Sequence, residues 1–209
     1  MSELSKFASN PFLSATERRH PLMTEIIADT LPKIAAAAIE NGEFINDNDQ
    51  IQNLSAQWEA SDTVTVNAEA LSLSRTQAFE TKMDSLTRKL DPETNSTLTA
   101  WCLIIEPVAP VGSSLHTLLL PQGRETLTAG SWEVQLNSIR NLGIRLAAQT
   151  TKPALVSLSP IVNSFYNSAD ALRTAQGSAA QALTDAREAQ ETLRKTCCLL
   201  YTSPSPRDS

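Results

Sequence analysis

The sequence has few of the side chains that build catalytic centres and metal sites. Histidine occurs twice and cysteine three times in 209 residues. So few cysteines exclude a disulfide framework, which is typical of a protein from a reducing cytosol. No glycine-rich phosphate loop, nucleophile elbow or Cys-x-x-Cys spacing occurs. We therefore predict no catalytic residue, no cofactor-binding residue and no metal ligand.

Two short stretches have a spacing that chemistry could use. Glu17 and His20 have the Glu-x-x-His spacing of di-iron bundles, but no second copy exists, because Ser113 stands three residues before His116. Ser113 or Ser114 lies too close to His116 along the chain to act with it as nucleophile and base, and no orienting acid is evident. We interpret Glu17 and His20 as part of an exposed arm, the serines as helix caps and His116 as an ordinary surface histidine.

Positive charge and long apolar runs are also scarce. The chain carries 17 Lys and Arg against 23 Asp and Glu, a net charge of −6. A nucleic-acid-binding surface needs basic residues concentrated on one face, so we expect no nucleic-acid partner. The longest apolar run, residues 100–105, is far shorter than the ~20 residues of a membrane span. Residues 1–6 lack a signal-peptide pattern. The sequence therefore predicts a cytoplasmic protein without a membrane partner.

What the sequence does contain is apolar residues at helical spacing, above all in residues 159–196. Ser159 and Pro160 predict the start of this long helix, as cap and first helical residue. A seven-residue repeat over about five heptads then indicates coiled-coil-like packing. One row of the repeat contains Val162, Ala169, Gln176, Leu183 and Gln190, and the other contains Phe165, Leu172, Ala179, Ala186 and Leu193.

The seam formed by these two rows is rich in alanine, and the neighbouring row (Ala175, Ala182 and Ala189) is alanine as well. Small residues let a partner helix approach closely. A helix of this length would span about 57 Å at ~1.5 Å per residue, more than a small domain covers. We therefore expect self-association or a helical protein partner, bound through the apolar positions of the seam: Val162, Phe165, Leu172, Leu183 and Leu193.

The remaining pattern also predicts helices. Residues 1–20 are polar and are expected to form a flexible arm. Residues 21–41 form an amphipathic helical pattern with a kink or break near Pro32 and a cap at Asn41-Gly42. Residues 46–48 predict a turn before a short helix capped by Asp49. Residues 63–66 alternate like a strand, but entry into a helix that ends at Leu90 is favoured. The apolar side of residues 21–41 contains Leu22, Ile26, Ile27, Leu31, Ile34 and Ala38.

The middle of the chain contains the most apolar stretch, residues 98–105. Periodicity alone does not separate a buried helix from a buried strand there, and without a partner strand we predict a helix in which Cys102 is buried. A short helix is expected over residues 114–120, and a longer one begins after Ser131. The predicted core positions of these and the earlier helices include Trp58, Phe79, Met83, Leu86, Trp101, Trp132, Leu136, Ile139 and Leu146.

The end of the chain has a different origin. Residues 198–208, from Cys198 to Asp208, resemble the translation of a transposase-type sequencing adapter read in frame. The resemblance covers eleven consecutive residues, and it implies that residues 197–209 are a non-native tail. The native sequence would then be known only to about Thr196, where the long helix has no C-cap signal.

Together these patterns predict an all-α fold, an antiparallel bundle of four or more helices over residues 21–196 with one long C-terminal helix. Because no catalytic constellation accompanies the alanine seam, we favour a structural or interaction protein that acts through helix–helix packing. The alternative is an enzyme or small-ligand binder, with its site in the bundle core or in a missing C-terminal part. A buried His116 or convergent buried carboxylates would favour that alternative.

Overall fold

The computed structural model describes residues 45–87 and 96–202, together with the single positions 29, 32, 33 and 36. The predicted arm, the break near Pro32, the cap at Asn41-Gly42, the site at Glu17 and His20 and the helix end at Leu90 lie outside these residues. The described helices are α1 (Ile45–Thr87), α2 (Thr97–Ile105), α3 (Ser114–Leu119), α4 (Trp132–Ala147) and α5 (Pro153–Thr202). The only other regular elements in this part are the short extended segment Pro121–Arg124 and the 3-10 turn Glu125–Leu127. The fold is therefore all-α, as predicted, with the C-terminal helix longest.

The chain divides into two compact units. Unit 1 comprises Met1–Leu71 and Ala180–Ser209, and unit 2 comprises Ser72–Ala179. Helices α1 and α5 therefore contribute one end to each unit. In both units the two helices run antiparallel, because residues later in α1 contact residues earlier in α5. In unit 2, Gln176 Nε2 donates a hydrogen bond to Thr76 Oγ1 at 3.3 Å.

Unit 2 is a helical bundle around a large apolar core. The Trp101 ring on α2 meets the Phe165 ring on α5 edge to face, with centroids 5.5 Å apart. The Lys82 ammonium of α1 lies 4.4 Å from the centroid of the same Phe165 ring. Three helices thus converge on one aromatic side chain. The largest fully buried side chains of the core are Met83, Leu86, Ile105, Leu119, Leu120, Leu127, Leu136, Ile139, Leu142, Leu146 and Leu155.

Serine side chains cap three of the helices in this bundle. Ser96 Oγ accepts a hydrogen bond from the Thr99 amide, and Ser131 Oγ accepts one from the Val134 amide. Ser113 Oγ accepts one from the amide of His116, which confirms Ser113 as a cap. Each cap satisfies one of the free amides of a helix N-terminus, so these serines decide where the chain enters its helices.

Helix α1 is longer than the sequence pattern suggested. The predicted turn at residues 46–48 and the cap at Asp49 are wrong, because all of these residues lie within the helix. Acidic side chains are favourable in a first helical turn, where they face the positive end of the helix dipole. The strand-like residues 63–66 are helical, as favoured. Thr63 and Thr65 donate their hydroxyls to the carbonyls of Glu59 and Ser61, which lets these β-branched residues fit the helix.

Helix α5 begins seven residues before Pro160, the predicted first helical residue. Pro153 is its first residue, and Ser159 is buried inside the helix rather than capping it. Ser159 Oγ donates instead to the carbonyl of Gly143 on α4 at 2.9 Å. Pro160 lies within the helix and removes one backbone hydrogen bond to Val156. Both residues are exposed, so water can reach the carbonyl that Pro160 leaves unbonded.

Two of the three tryptophans are buried as predicted. Trp58 and Trp101 are almost fully buried, whereas Trp132 is 41 % exposed, contrary to the prediction that it belongs to the core. Trp132 is the first residue of α4, and its ring meets the Phe79 ring edge to face, with centroids 6.0 Å apart. The other predicted core residues of α1 and α4 are buried: Phe79, Met83, Leu86, Leu136, Ile139 and Leu146.

Candidate interaction surface

In unit 1, the first part of α1 and the last part of α5 form an antiparallel helix pair. Gln190 of α5 is within 3.4 Å of both Thr65 Oγ1 and Asp62 Oδ1 of α1. Arg187, one turn earlier on α5, forms an ion pair with Glu69, one turn later on α1, at 2.8 Å. These contacts fix which residues of the two helices face each other.

The interface of this pair contains buried polar side chains. Gln190 and Thr65 are each only 3 % exposed. Because a buried polar group that loses its hydrogen bond costs about 1–3 kcal/mol, sliding either helix by one turn would be unfavourable. The pair Gln190 and Thr65 therefore sets the register, a role that single polar residues also have in coiled-coil seams.

All ten positions of the predicted seam are buried or half-buried within the chain. Val162 and Phe165 belong to the core of unit 2, and Leu172 packs against that core. Leu183 and Leu193 are half-buried in unit 1. Because these side chains already contact their own chain, a second molecule would have to bind mainly at positions beside the seam.

One flank of the helix pair is charged. On α1, Val66 is 55 % exposed and lies at helical spacing from three carboxylates, those of Glu59, Asp62 and Glu69. The ion pair between Glu69 and Arg187 joins α1 to α5 along this flank. An apolar partner would have to desolvate several charged groups to bind here, which is costly.

The opposite flank carries a row of exposed apolar residues, with one carboxylate, that of Asp185, beside it. Its residues on α1 are Ala60, Val64 and Leu71, which follow one another at steps of four and seven and so share one face. The facing row of α5 contains Ala182 and Ala189, which lie on the side of the seam away from Arg187. All five residues are exposed, Val64 by 58 % and Leu71 by 46 %. We call this surface the apolar groove.

The sequence indicated only half of this groove. The row Ala182 and Ala189 was recognised as a surface that admits a close neighbour. Val64 was assigned only to a strand-like stretch or a helix entry, and Leu71 was not singled out. The helical spacing of Ala60, Val64 and Leu71 already places these residues on one face of a helix. The ion pair of Glu69 with Arg187 then shows that this face is not the charged flank of α1.

In unit 2, the cluster most like a chemical site contains Cys102, Glu106 and Arg124. Arg124 Nη2 donates to Glu106 Oε1 at 3.0 Å and also interacts with the Cys102 thiol. Burial raises the pKa of Cys102 above its usual value, and the Arg124 guanidinium offsets only part of that increase. The thiol therefore stays protonated at neutral pH, which favours packing over nucleophilic chemistry.

We expect Cys102 in the folded protein to react with iodoacetamide at pH 8 at least ~100-fold more slowly than in urea, because reaction requires opening of the bundle. The raised pKa gives a stabilising contribution that is full below the unfolded thiol pKa and is lost as the pH rises through the folded pKa. Mass spectrometry of alkylation, timed at several pH values, would measure the two reaction rates and the loss of protection as the pH rises. Equal rates in the folded and unfolded states would contradict this expectation. Alkylation of Cys197 and Cys198 does not interfere, because these residues lie in a different proteolytic peptide from Cys102.

His116 does not lie on the surface as predicted. It is 7 % exposed, because it shares the inner side of the short helix α3 with Leu119. The buried polar residues of unit 2 in the described ranges are Ser96, His116 and Ser159, and none is a carboxylate. No group of three or more potential metal ligands occurs among the residues that the structure describes.

Comparisons with known proteins add no family to this description. None of the helices in the described ranges has an apolar stretch long enough to cross a membrane. No protein-family model matches the chain, and neither a curated protein nor a solved structure matches it.

Proposed function

We propose that this chain is a helical interaction protein that self-associates by packing the apolar groove of unit 1 against a second copy. The observation that carries the proposal is the exposure of Val64 and Leu71 beside the alanine row of α5. An isolated pair of helices buries little apolar surface, and a further helix on this flank would remove these side chains from water. Alanine at Ala182 and Ala189 permits the close helix approach that such packing needs.

The distribution of charge favours a second copy over a partner of opposite charge. The five residues that define the groove are uncharged, and the carboxylate beside them on α5, that of Asp185, accepts a hydrogen bond from Gln181 Nε2 at 2.8 Å. Two copies related by a twofold axis would place the same apolar surface against itself, which is the arrangement of most homodimers. The carboxylates near Val66 and the ion pair of Glu69 with Arg187 would remain at the hydrated rim.

The alternative, an enzyme or small-ligand binder with its site in the bundle core, is favoured by one observation, the burial of His116. A catalytic histidine needs an orienting acid or a nucleophile within hydrogen-bond reach. In the described residues of unit 2 the buried polar set offers no carboxylate, and the buried thiol of Cys102 has a raised pKa. The interaction function therefore has the stronger support.

Lysine at position 64 is expected to raise the self-association Kd of the full chain at least ~100-fold, because the ammonium would be buried against apolar residues. The matched control is Val66→Lys, which adds the same charge at an equally exposed position on the charged flank. There the lysine can pair with Glu59, Asp62 and Glu69, so its Kd should remain close to that of the unmodified chain.

Sedimentation equilibrium over a range of protein concentrations measures these constants. A single-chain mass for the unmodified protein at every concentration would overturn the proposal. Equal weakening by Val64→Lys and Val66→Lys would also overturn it, because the groove would then have no special role. A stable complex with a different helical protein and no homodimer would assign the groove to that partner instead.

A further inference from the structure

We infer that the second copy lies in the apolar groove with its α1 packed on α5 of the first, and that Asn67 of each copy donates a hydrogen bond to Asp185 of the other. The inference rests on the proposed function and names the contact that makes the homodimer specific. Two observations lead to it: one polar residue interrupts each row of the groove, and these two residues lie at the same level of the helix pair.

Each row of the apolar groove is interrupted by one polar residue. The face of α1 that carries the groove has steps of four, three and four through Ala60, Val64, Asn67 and Leu71. The face of α5 has steps of three and four through Ala182, Asp185 and Ala189. Asn67 and Asp185 are both exposed. The amide of an asparagine donates hydrogen bonds and a carboxylate accepts several, so the two interruptions are complementary.

The contacts inside unit 1 fix the level of each residue along the helix pair. Gln190 of α5 contacts both Thr65 and Asp62 of α1, so its level lies between theirs. Because the helices are antiparallel, each step forward along α1 corresponds to one step back along α5. Counting from Gln190 in this way gives three pairs of residues at nearly common levels: Val64 with Ala189, Asn67 with Asp185, and Leu71 with Ala182.

Two directions of a twofold axis would bring the groove of one copy onto the groove of the other. An axis along the helices places α1 of each copy over α5 of the other and keeps every residue at its own level. An axis across the helices places α1 over α1 and α5 over α5, with the levels in reverse order. When the rows overlap fully, this second arrangement sets the two Asp185 carboxylates opposite each other. Like charges repel, so the axis along the helices is favoured.

The axis along the helices also matches side-chain size and polarity. The large residues of the α1 row, Val64 and Leu71, then lie opposite the alanines of the α5 row of the other copy, where small side chains leave room for them. Asn67 lies opposite Asp185 of the other copy, and its amide nitrogen donates to that carboxylate. The twofold axis repeats the contact, so each dimer has two such charge-assisted hydrogen bonds. Sliding one copy along the groove by a turn would break both, so they set the register.

Disulfide cross-linking between two full chains, each with one added cysteine, tests the arrangement. Both chains also carry Cys197→Ser and Cys198→Ser, and a chain without an added cysteine is the control. We expect Val64→Cys mixed with Ala189→Cys to give at least ~10-fold more mixed disulfide than Val64→Cys mixed with Leu71→Cys. A disulfide needs Cβ atoms within about 4.5 Å, and only the first pair lies on helices that face each other. Mass spectrometry of the linked peptides identifies each product.

Substitutions of the two polar residues test the hydrogen bond itself. Asn67→Asp turns each contact into a pair of like charges at the hydrated rim, so the Kd of self-association should rise about tenfold over the two contacts. Adding Asp185→Asn restores an amide opposite a carboxylate, and the Kd should return to within about twofold of that of the unmodified chain. An unchanged Kd for Asn67→Asp, or no recovery in the double variant, would overturn the hydrogen bond.

Sedimentation equilibrium of the same variants separates failure of this inference from failure of the proposed function. A dimer that Val64→Lys dissociates, but in which Val64→Cys links to Leu71→Cys rather than to Ala189→Cys, would overturn the inference and leave the proposed function standing. A dimer of that kind with neither cross-link would have the same meaning. Absence of a dimer in the unmodified chain would overturn both.

Discussion

Replacing Trp101 by alanine is expected to lower the free energy of unfolding of unit 2 by about 3–5 kcal/mol. Trp101 is 2 % exposed, and its ring packs edge to face on Phe165. The substitution removes the largest apolar side chain of α2 and leaves a cavity between α2 and α5. Rotamer changes cannot refill a space of this size, because the neighbouring positions are fully buried leucine and isoleucine residues that are already packed.

The matched control is Trp132→Ala, which removes the same side chain from the edge of the bundle. Trp132 is 41 % exposed, so its substitution should cost less than half as much. Urea denaturation followed by circular dichroism at 222 nm measures both values. Equal losses for the two variants would contradict the assignment of Trp101 to the core and of Trp132 to its edge.

A large side chain at position 143 is expected to have the second large effect on stability. A Cβ atom built on Gly143 would collide with the side-chain amide of Asn163 on α5. Ser159 of α5 connects the two helices at this point. Its hydroxyl donates to the Gly143 carbonyl of α4 and accepts from Asn163 Nδ2 at 3.3 Å. Gly143→Leu must displace the Asn163 side chain and disrupt these bonds. We expect a loss of about 3 kcal/mol or more.

Gly177→Ala provides the control for this prediction. Gly177 also lies within a helix, but a Cβ atom there would meet no atom within 4 Å. Alanine at this position should stabilise the protein by about 0.5–1 kcal/mol, because it restricts the unfolded chain and favours the helix. Thermal unfolding of both variants tests the opposite signs. Stabilisation by Gly143→Leu would show that α4 and α5 do not cross closely at this glycine.

The helix content could be predicted from the sequence because its signals are local. The steps of three and four from Phe79 to Leu86, and the serines before Ser114 and Trp132, are sufficient to place apolar faces and helix starts. The predicted start of a helix was wrong where two local sequence signals competed for it. Ser159-Pro160 resembles a helix start as strongly as Pro153 does, and burial of Ser159 against Gly143 decided between them.

The candidate surface could be predicted only in part. The sequence pattern shows the row Ala182 and Ala189 as a small-residue face, and the positions of the heptad rows beside it are buried or half-buried. Which apolar residues of the heptad are used within the chain could not be read from their spacing. Val162 and Phe165 are buried in the core of unit 2. The exposed apolar surface therefore consists of the alanine row beside the heptad positions and of residues on α1.

The sequence by itself determined the helical class, the great length of α5 and the buried character of Cys102, because each follows from composition and periodicity within a short window. The tertiary structure decided how the helices pair. The contacts of Gln190 with Thr65 and of Arg187 with Glu69 join residues more than a hundred positions apart. Periodicity determines which face of a helix is apolar, but which neighbour covers that face depends on the packing of distant segments. Val64 and Leu71 became candidates only when that packing left them exposed.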